Sequence, residues 1–354
     1  MQNNNYQNTV YPHTPPGYVP YYPPVPPPPD PKQLQRRALR KTANGLGFFI
    51  LAYFLIMQVL VIVVSLMIQR SGITTEDNQT MILFLLEIIA SVASSLLAVV
   101  FYKMISRKRL SENLSKSNLS RDMLVPMIFA GMGAAMLANQ LASLFDQNIS
   151  IFYLENSVSQ TTQTRSMPEM ILYILSTAVA PAFAEELAFR GVFMNVMRKY
   201  GDAFAIITSA VLFGAMHGNT TQIVFAFILG LIFAFVDCKA NSILPSVIIH
   251  FTNNFYAVAS DIIQTNSGMS DTVVSVIRII IIALFCVLGI LSYLYLTRRD
   301  KNFFRISDSD QGPYAEKSLL TLKEKHIACF TTPGIIISLS LFMLEMFLNL
   351  VPTV

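Results

Sequence analysis

Apolar runs of about 18 to 25 residues recur along this chain, each long enough to cross a hydrocarbon core of roughly 30 Å as a helix. Backbone polar groups in lipid must be satisfied within their own segment, so such runs fold as helices rather than open strands, and they lack the alternation of barrel strands. Composition agrees: 53% of the 354 residues are hydrophobic and 13% are charged, against about a quarter charged in a soluble domain. The expected fold is all-α, a polytopic transmembrane bundle of about eight or nine helices. Runs near residues 46–68, 81–102, 123–145, 168–189, 203–217, 221–237, 243–260, 272–296 and 333–353 predict about nine crossings by length alone.

The formal net charge of +4 is too modest to signal nucleic-acid binding, because the cations sit in short clusters beside the apolar runs and read as topology determinants. Arg36, Arg37, Arg40 and Lys41 precede the first run. Lys103, Arg107, Lys108, Arg109, Lys116 and Arg121 follow the second, Arg198 and Lys199 the fourth, and Arg298, Arg299, Lys301 and Arg305 the eighth. Every even-numbered exit is basic, which predicts a multi-pass protein of the cell membrane with its N-terminus in the cytoplasm and its C-terminus outside. Residues 1–31 hold eleven of the eighteen prolines, interleaved with tyrosines. The segment 1–42 is therefore expected to be a disordered, polyproline-II-like tail ending in a basic juxtamembrane stretch, with no secretory signal peptide. A helical membrane domain over 43–297, a polar cytoplasmic loop over 298–331 and a C-terminal hydrophobic helix over 332–354 complete the organisation. Cys238, Cys286 and Cys329 show no metal or disulfide spacing and read as packing residues.

Ionisable groups at membrane depth cost several kcal/mol unless paired or hydrated, so each is a functional candidate. Of four histidines, His13 lies in the tail and His326 in a polar stretch, whereas His217 and His250 lie in apolar helices. In the fourth run, Glu185, Glu186 and Arg190 end an otherwise hydrophobic helix. Glu186 and Arg190 are four apart and share a face, so they can pair, while Glu185 is rotated by about 100° and left free. A free carboxylate in a low-dielectric pocket is suited to take a proton from water. Phe213 and His217 share a face in the fifth run, the ring walling what the imidazole lines. His250 and Asn254 share a face in the seventh and can present two hydrogen-bond donors to one point, as an oxyanion requires, with Asn253 turned elsewhere. Glu87, Arg278 and Glu345 read as interhelical pairing or interface residues.

The three elements, EExxxR at Glu185 to Arg190, FxxxH at Phe213 to His217 and HxxxN at His250 to Asn254, resemble the signature of the CPBP family of intramembrane proteases. That family includes the type II CAAX prenyl endopeptidases and the Abi-type bacteriocin self-immunity proteins. Order and placement in successive hydrophobic helices make the combination specific, and it covers roughly residues 165–260. The resemblance implies an intramembrane endopeptidase acting on a membrane-associated or lipidated peptide within the bilayer. Glu185 and His217 would activate water, His250 and Asn254 would hold the oxyanion, and Arg190 tied to Glu186 would keep the geometry. Glu185, His217 and His250 would also be the ligands of a zinc if one is bound, giving metallo- rather than glutamate chemistry, although no HExxH helix is present. The alternatives are a non-catalytic immunity or scaffold protein of the same fold, an ion-coupled transporter, for which matching inverted repeats are missing, and a rhomboid-type serine protease, for which no membrane serine stands in a GxS context beside the histidines. The predicted spans also carry a tension, since they place Glu185 and His250 nearer the cytoplasmic side and His217 deeper, so one helix must be tilted or broken for the three to meet.

Overall fold

The computed structural model describes residues 30–71, 76–105, 117–149, 154–156, 166–306 and 318–352. The predicted disordered tail up to residue 29 and the polar stretch 307–317 lie outside them. The chain is all-α: α1 (Pro31–Ser71), α2 (Glu76–Ile105), α3 (Arg121–Ile149), α4 (Met167–Tyr200), α5 (Asp202–Ala215), α6 (Thr220–Ala240), α7 (Leu244–Asn266), α8 (Asp271–Arg299), α9 (Leu322–Phe330) and α10 (Pro333–Leu348). A single three-residue antiparallel ladder, β1 (Leu154–Asn156) on β2 (Leu350–Pro352), is the sheet structure among the described residues. Local signals set the ends. Asp30 accepts the Lys32 N–H at 3.0 Å with Pro31 at the first helical position, so α1 starts at Pro31 and the cluster from Arg36 to Lys41 rides on its opening turns. Capping boxes start α4 (Ser166 with Glu169) and α9 (Thr321 with Glu324), and Asn241 closes α6 in the left-handed region at φ 50°.

Among the described residues, six helices, α1, α2, α3, α4, α6 and α8, are long and apolar enough to cross a membrane, or up to seven if α9 and α10, bent by 72°, count as one span. This corrects the expectation of about nine crossings. α5 has only 14 residues, which rise about 21 Å and fall short of a roughly 30 Å core. α7 has 23 residues but carries Thr252, Asn253, Asn254, Ser260 and Asp261. Two of the three helices associated with the candidate residues, α5 and α7, are thus too short or too polar to behave as ordinary spans, whereas α4 is long enough to cross. The rest make this an integral membrane protein: on α8, Ile279, Ile280, Leu284, Val287, Ile290 and Leu291 are each more than half exposed, an apolar face suited to lipid rather than water.

Without a hydrophobic drive between helices in lipid, close approach comes from small residues. At the α3–α8 crossing a Cβ on Gly133 would lie 2.9 Å from the Gly289 Cα, and Gly47 of α1 meets Gly334 of α10 in the same way. The basic ends gather at one end of the bundle. Lys32 pairs with Glu324 at 2.7 Å, Arg299 with Asp122 at 2.5 Å, and Lys239 donates to the Arg305 carbonyl at 2.9 Å. The start of α1, the start of α3, the ends of α6 and α8, and α9 thus share one face.

Candidate active site

Two π-helical stretches interrupt α4, at Leu175–Val179 and Leu187–Met194, flanking the α-helical turn that carries Glu185 and Glu186. An inserted residue of this kind re-aims the side chains that follow it. Glu186 and Arg190 are fully buried, and the Arg190 Nη1 donates to Glu186 Oε1 at 3.1 Å. The other terminal nitrogen donates to the Gly230 carbonyl at 3.2 Å, and the guanidinium carbon sits 4.2 Å from the centre of the Phe213 ring. The pairing expected from helical spacing is therefore present, with a third member that spacing could not reveal: His250 Nδ1 lies 2.9 Å from the same Glu186 oxygen.

His217 follows the end of α5. Its Nδ1 lies 2.8 Å from the Phe213 carbonyl oxygen, which can only accept, so Nδ1 carries a proton and the neutral form of the ring presents its lone pair at Nε2. Phe213 is the shared wall, its ring centre 5.0 Å from that of His217, 6.1 Å from His250 and 5.2 Å from Phe189. Glu185 is half-buried, and its Oε2 has no hydrogen-bond partner among the described residues. Its carboxylate acts electrostatically on the His217 imidazole. One carboxylate is thus tied into a buried network while its sequence neighbour is left open beside a histidine.

The tension over depth resolves through the shortness of α5. It rises about 21 Å from the turn at Gly201, and α4 covers a similar distance from Glu186 to that turn, so His217 and Glu186 reach the same level.

The expected pair of free donors does not take the anticipated form. His250 Nδ1–H donates to Glu186 Oε1, and Asn254 donates to the Thr177 carbonyl at 3.1 Å. Asn253, set aside as facing elsewhere, is buried and accepts from Asn139 at 2.8 Å while donating to Asn254 at 3.3 Å. The zinc alternative also fails a geometric test, since among the described residues no three His, Cys, Asp or Glu side chains converge as a metal site needs.

Among the remaining intramembrane charges, Arg278 donates to the Ser260 carbonyl at 3.1 Å, Gln58 donates to Glu345 at 2.6 Å and Glu87 bonds to Ser176. His326 stands apart from the site on α9, against Phe204. Sequence reasoning missed Asp237, a buried carboxylate that accepts the Ser246 N–H at 3.0 Å and its hydroxyl at 2.5 Å. Ser246 is one turn before His250, so Asp237 anchors the start of the helix that presents the histidine. The signal was present, a carboxylate at the end of an apolar run, but it reads equally as a span boundary.

The loop after His217 is held from outside. Asn349 donates to the Gly218 carbonyl at 2.8 Å, and Gly218 has φ +58° with space so tight that a Cβ would lie 2.6 Å from the Glu345 Cδ. Gly218→Ala is expected to cost at least tenfold in turnover, with a lower melting temperature in detergent, because both the backbone region and the contact oppose a side chain there.

The fold and site define a polytopic membrane protein with a buried acid–histidine constellation spread over three helices. Residues 167–256, which carry all three motifs, match the family model described as Type II CAAX prenyl endopeptidase Rce1-like. This is the family that the motifs resemble, and the matched stretch spans about a quarter of the chain. No curated protein and no solved structure matches the chain.

Proposed function

We propose that the chain hydrolyses a peptide bond of a membrane-associated or lipidated protein, with Glu185 as general base. The observation that carries this is the contrast within one helical turn: Glu186 holds both Arg190 and His250 through its Oε1, while Glu185 has no ion-pair partner among the described residues and acts electrostatically on His217. In the step, the water oxygen bonds to the carbonyl carbon as Glu185 takes one water proton, and the carbonyl electrons move onto oxygen. Collapse of the tetrahedral adduct breaks the C–N bond, and the amine leaves with the proton that Glu185 held, so one water is added in total. His217 Nε2 accepts from the same water and orients it. Phe213 excludes bulk water, which strengthens each electrostatic contact inside the site.

An apolar cavity of about 540 Å³ lies among α3, α5, α6 and α8, lined by residues such as Leu137, Ile206, Leu231, Phe235 and Ile290 and by none of the site residues, and its lining suits a lipid chain lodged beside the site's helices. The clustering of basic helix ends supports assigning that end, and with it the N-terminus, to the cytoplasm. The test is cleavage of a panel of membrane-anchored and lipidated peptides by purified protein in detergent, wild type against Glu185→Ala, with and without a zinc chelator. Cleavage by wild type and its loss in the variant are expected, with turnover indifferent to the chelator. If wild type cleaves no peptide in the panel, the enzymatic reading gives way to a non-catalytic immunity or scaffold role.

A further inference from the structure

Tyr53 lies on α1, far in sequence from the three motifs and outside the family-matched segment. It is 1% exposed, its ring packs edge-on to Phe189 at 6.3 Å between centres, and its hydroxyl has no hydrogen-bond partner among the described residues. Phe189 in turn contacts Phe213, the wall shared by His217 and Arg190. Leaving a buried hydroxyl unpaired costs about 1–3 kcal/mol, so such a group calls for an explanation, and a reacting molecule is one. The carboxylates of Glu185 and Glu186 both act on this phenol electrostatically, yet neither bonds to it directly. The Tyr53 hydroxyl is thus one of two unpartnered buried donors in this region, with Arg190 Nε, whose guanidinium is already tied to Glu186 and Gly230; Glu185 Oε2 and Glu186 Oε2 are the unpartnered acceptors. A phenol is protonated at neutral pH and arrives as a donor, whereas the carboxylate can only accept.

The other donors once expected at this point are already engaged. His250 Nδ1–H faces Glu186, and its Nε2 is a donor only when the ring is charged. One amide N–H of Asn254 faces Thr177. We propose that the Tyr53 hydroxyl is a catalytic residue, donating a hydrogen bond to the oxyanion that forms when the Glu185-activated water attacks the substrate carbonyl. No covalent bond to Tyr53 forms, and its proton stays on the phenol throughout. The inference rests on the hydrolytic reading above and deepens it, completing the site with a helix outside the matched segment.

The test is Tyr53→Phe, which keeps the ring and its packing and removes one oxygen. Loss of a single oxyanion donor costs on the order of 10²–10³ in kcat. The variant is expected to lose about 10²-fold in kcat with KM within about twofold and a melting temperature at or above that of wild type, because the hydroxyl it removes is buried and unpaired. Its affinity for a tetrahedral phosphonate peptide should fall by a similar factor, while affinity for the matching uncleavable amide analogue stays constant. Wild-type kcat in Tyr53→Phe overturns the assignment, as does an equal weakening of phosphonate and amide analogues, which marks a packing role. Absence of cleavage by wild type overturns the hydrolytic reading itself, and this inference with it. That outcome is distinct from an active wild type with an equally active Tyr53→Phe.

Discussion

Glu186→Ala is expected to lower the stability of the folded protein by about 3–5 kcal/mol, the range for removing one partner of a buried ion pair. The side chains of Glu186 and Arg190 are both fully buried, and one Glu186 oxygen serves Arg190 and His250 together. Truncation leaves the guanidinium with the Gly230 carbonyl and two aromatic faces, Phe213 at 4.2 Å and Phe233 at 5.2 Å, which cannot neutralise it. It also frees the His250 ring. The measurement is thermal unfolding in detergent, with the double variant Glu186→Gln/Arg190→Met as a control. Replacing both charges by neutral groups of similar size removes the unpaired cation, so the double variant should recover most of the lost stability. It should still be inactive, because His250 has lost the carboxylate that orients it. If Glu186→Ala melts like wild type, the ion pair contributes nothing to the fold.

The parts of this site legible in sequence are those that helical spacing brings together. Glu186 with Arg190 and Phe213 with His217 are each four residues apart, so each pair meets through local geometry, the first inside α4 and the second across the end of α5. The contact between His250 and Glu186 spans 64 positions and depends on how α7 crosses α4, which periodicity does not encode. Tyr53 gave no signal, since a tyrosine in an apolar helix looks like any packing aromatic, and the π-helical stretches of α4 have no compositional mark. The all-α bundle was readable because lipid leaves few alternatives for long apolar runs. The number of crossings was overestimated for a related reason. The hydropathy of α5, α7 and α10 resembles that of spans, but α5 is too short, α7 carries the polar site and α10 is set at an angle to α9. Function disturbed the pattern where the site was built.

Glu185→Gln is the sharper chemical test, because it keeps volume and burial and removes only the capacity to take a proton. General-base catalysis is worth about 10²–10⁴ in rate, and a loss of that size in kcat is expected with substrate affinity and melting temperature close to wild type. Stability should hold because Glu185 is half-buried and its Oε2 bonds to nothing among the described residues, so the amide leaves no partner stranded. The contrast with Glu186 is the decisive feature. Two adjacent glutamates, rotated by about 100° on one helix, should separate cleanly, one variant losing the fold and the other losing only the reaction. If Glu185→Gln instead retained full turnover, the base would have to be His217, whose Nε2 is the other lone pair facing the reacting water; His217→Gln would then carry the loss, and Glu185 would be reduced to an electrostatic neighbour of the imidazole.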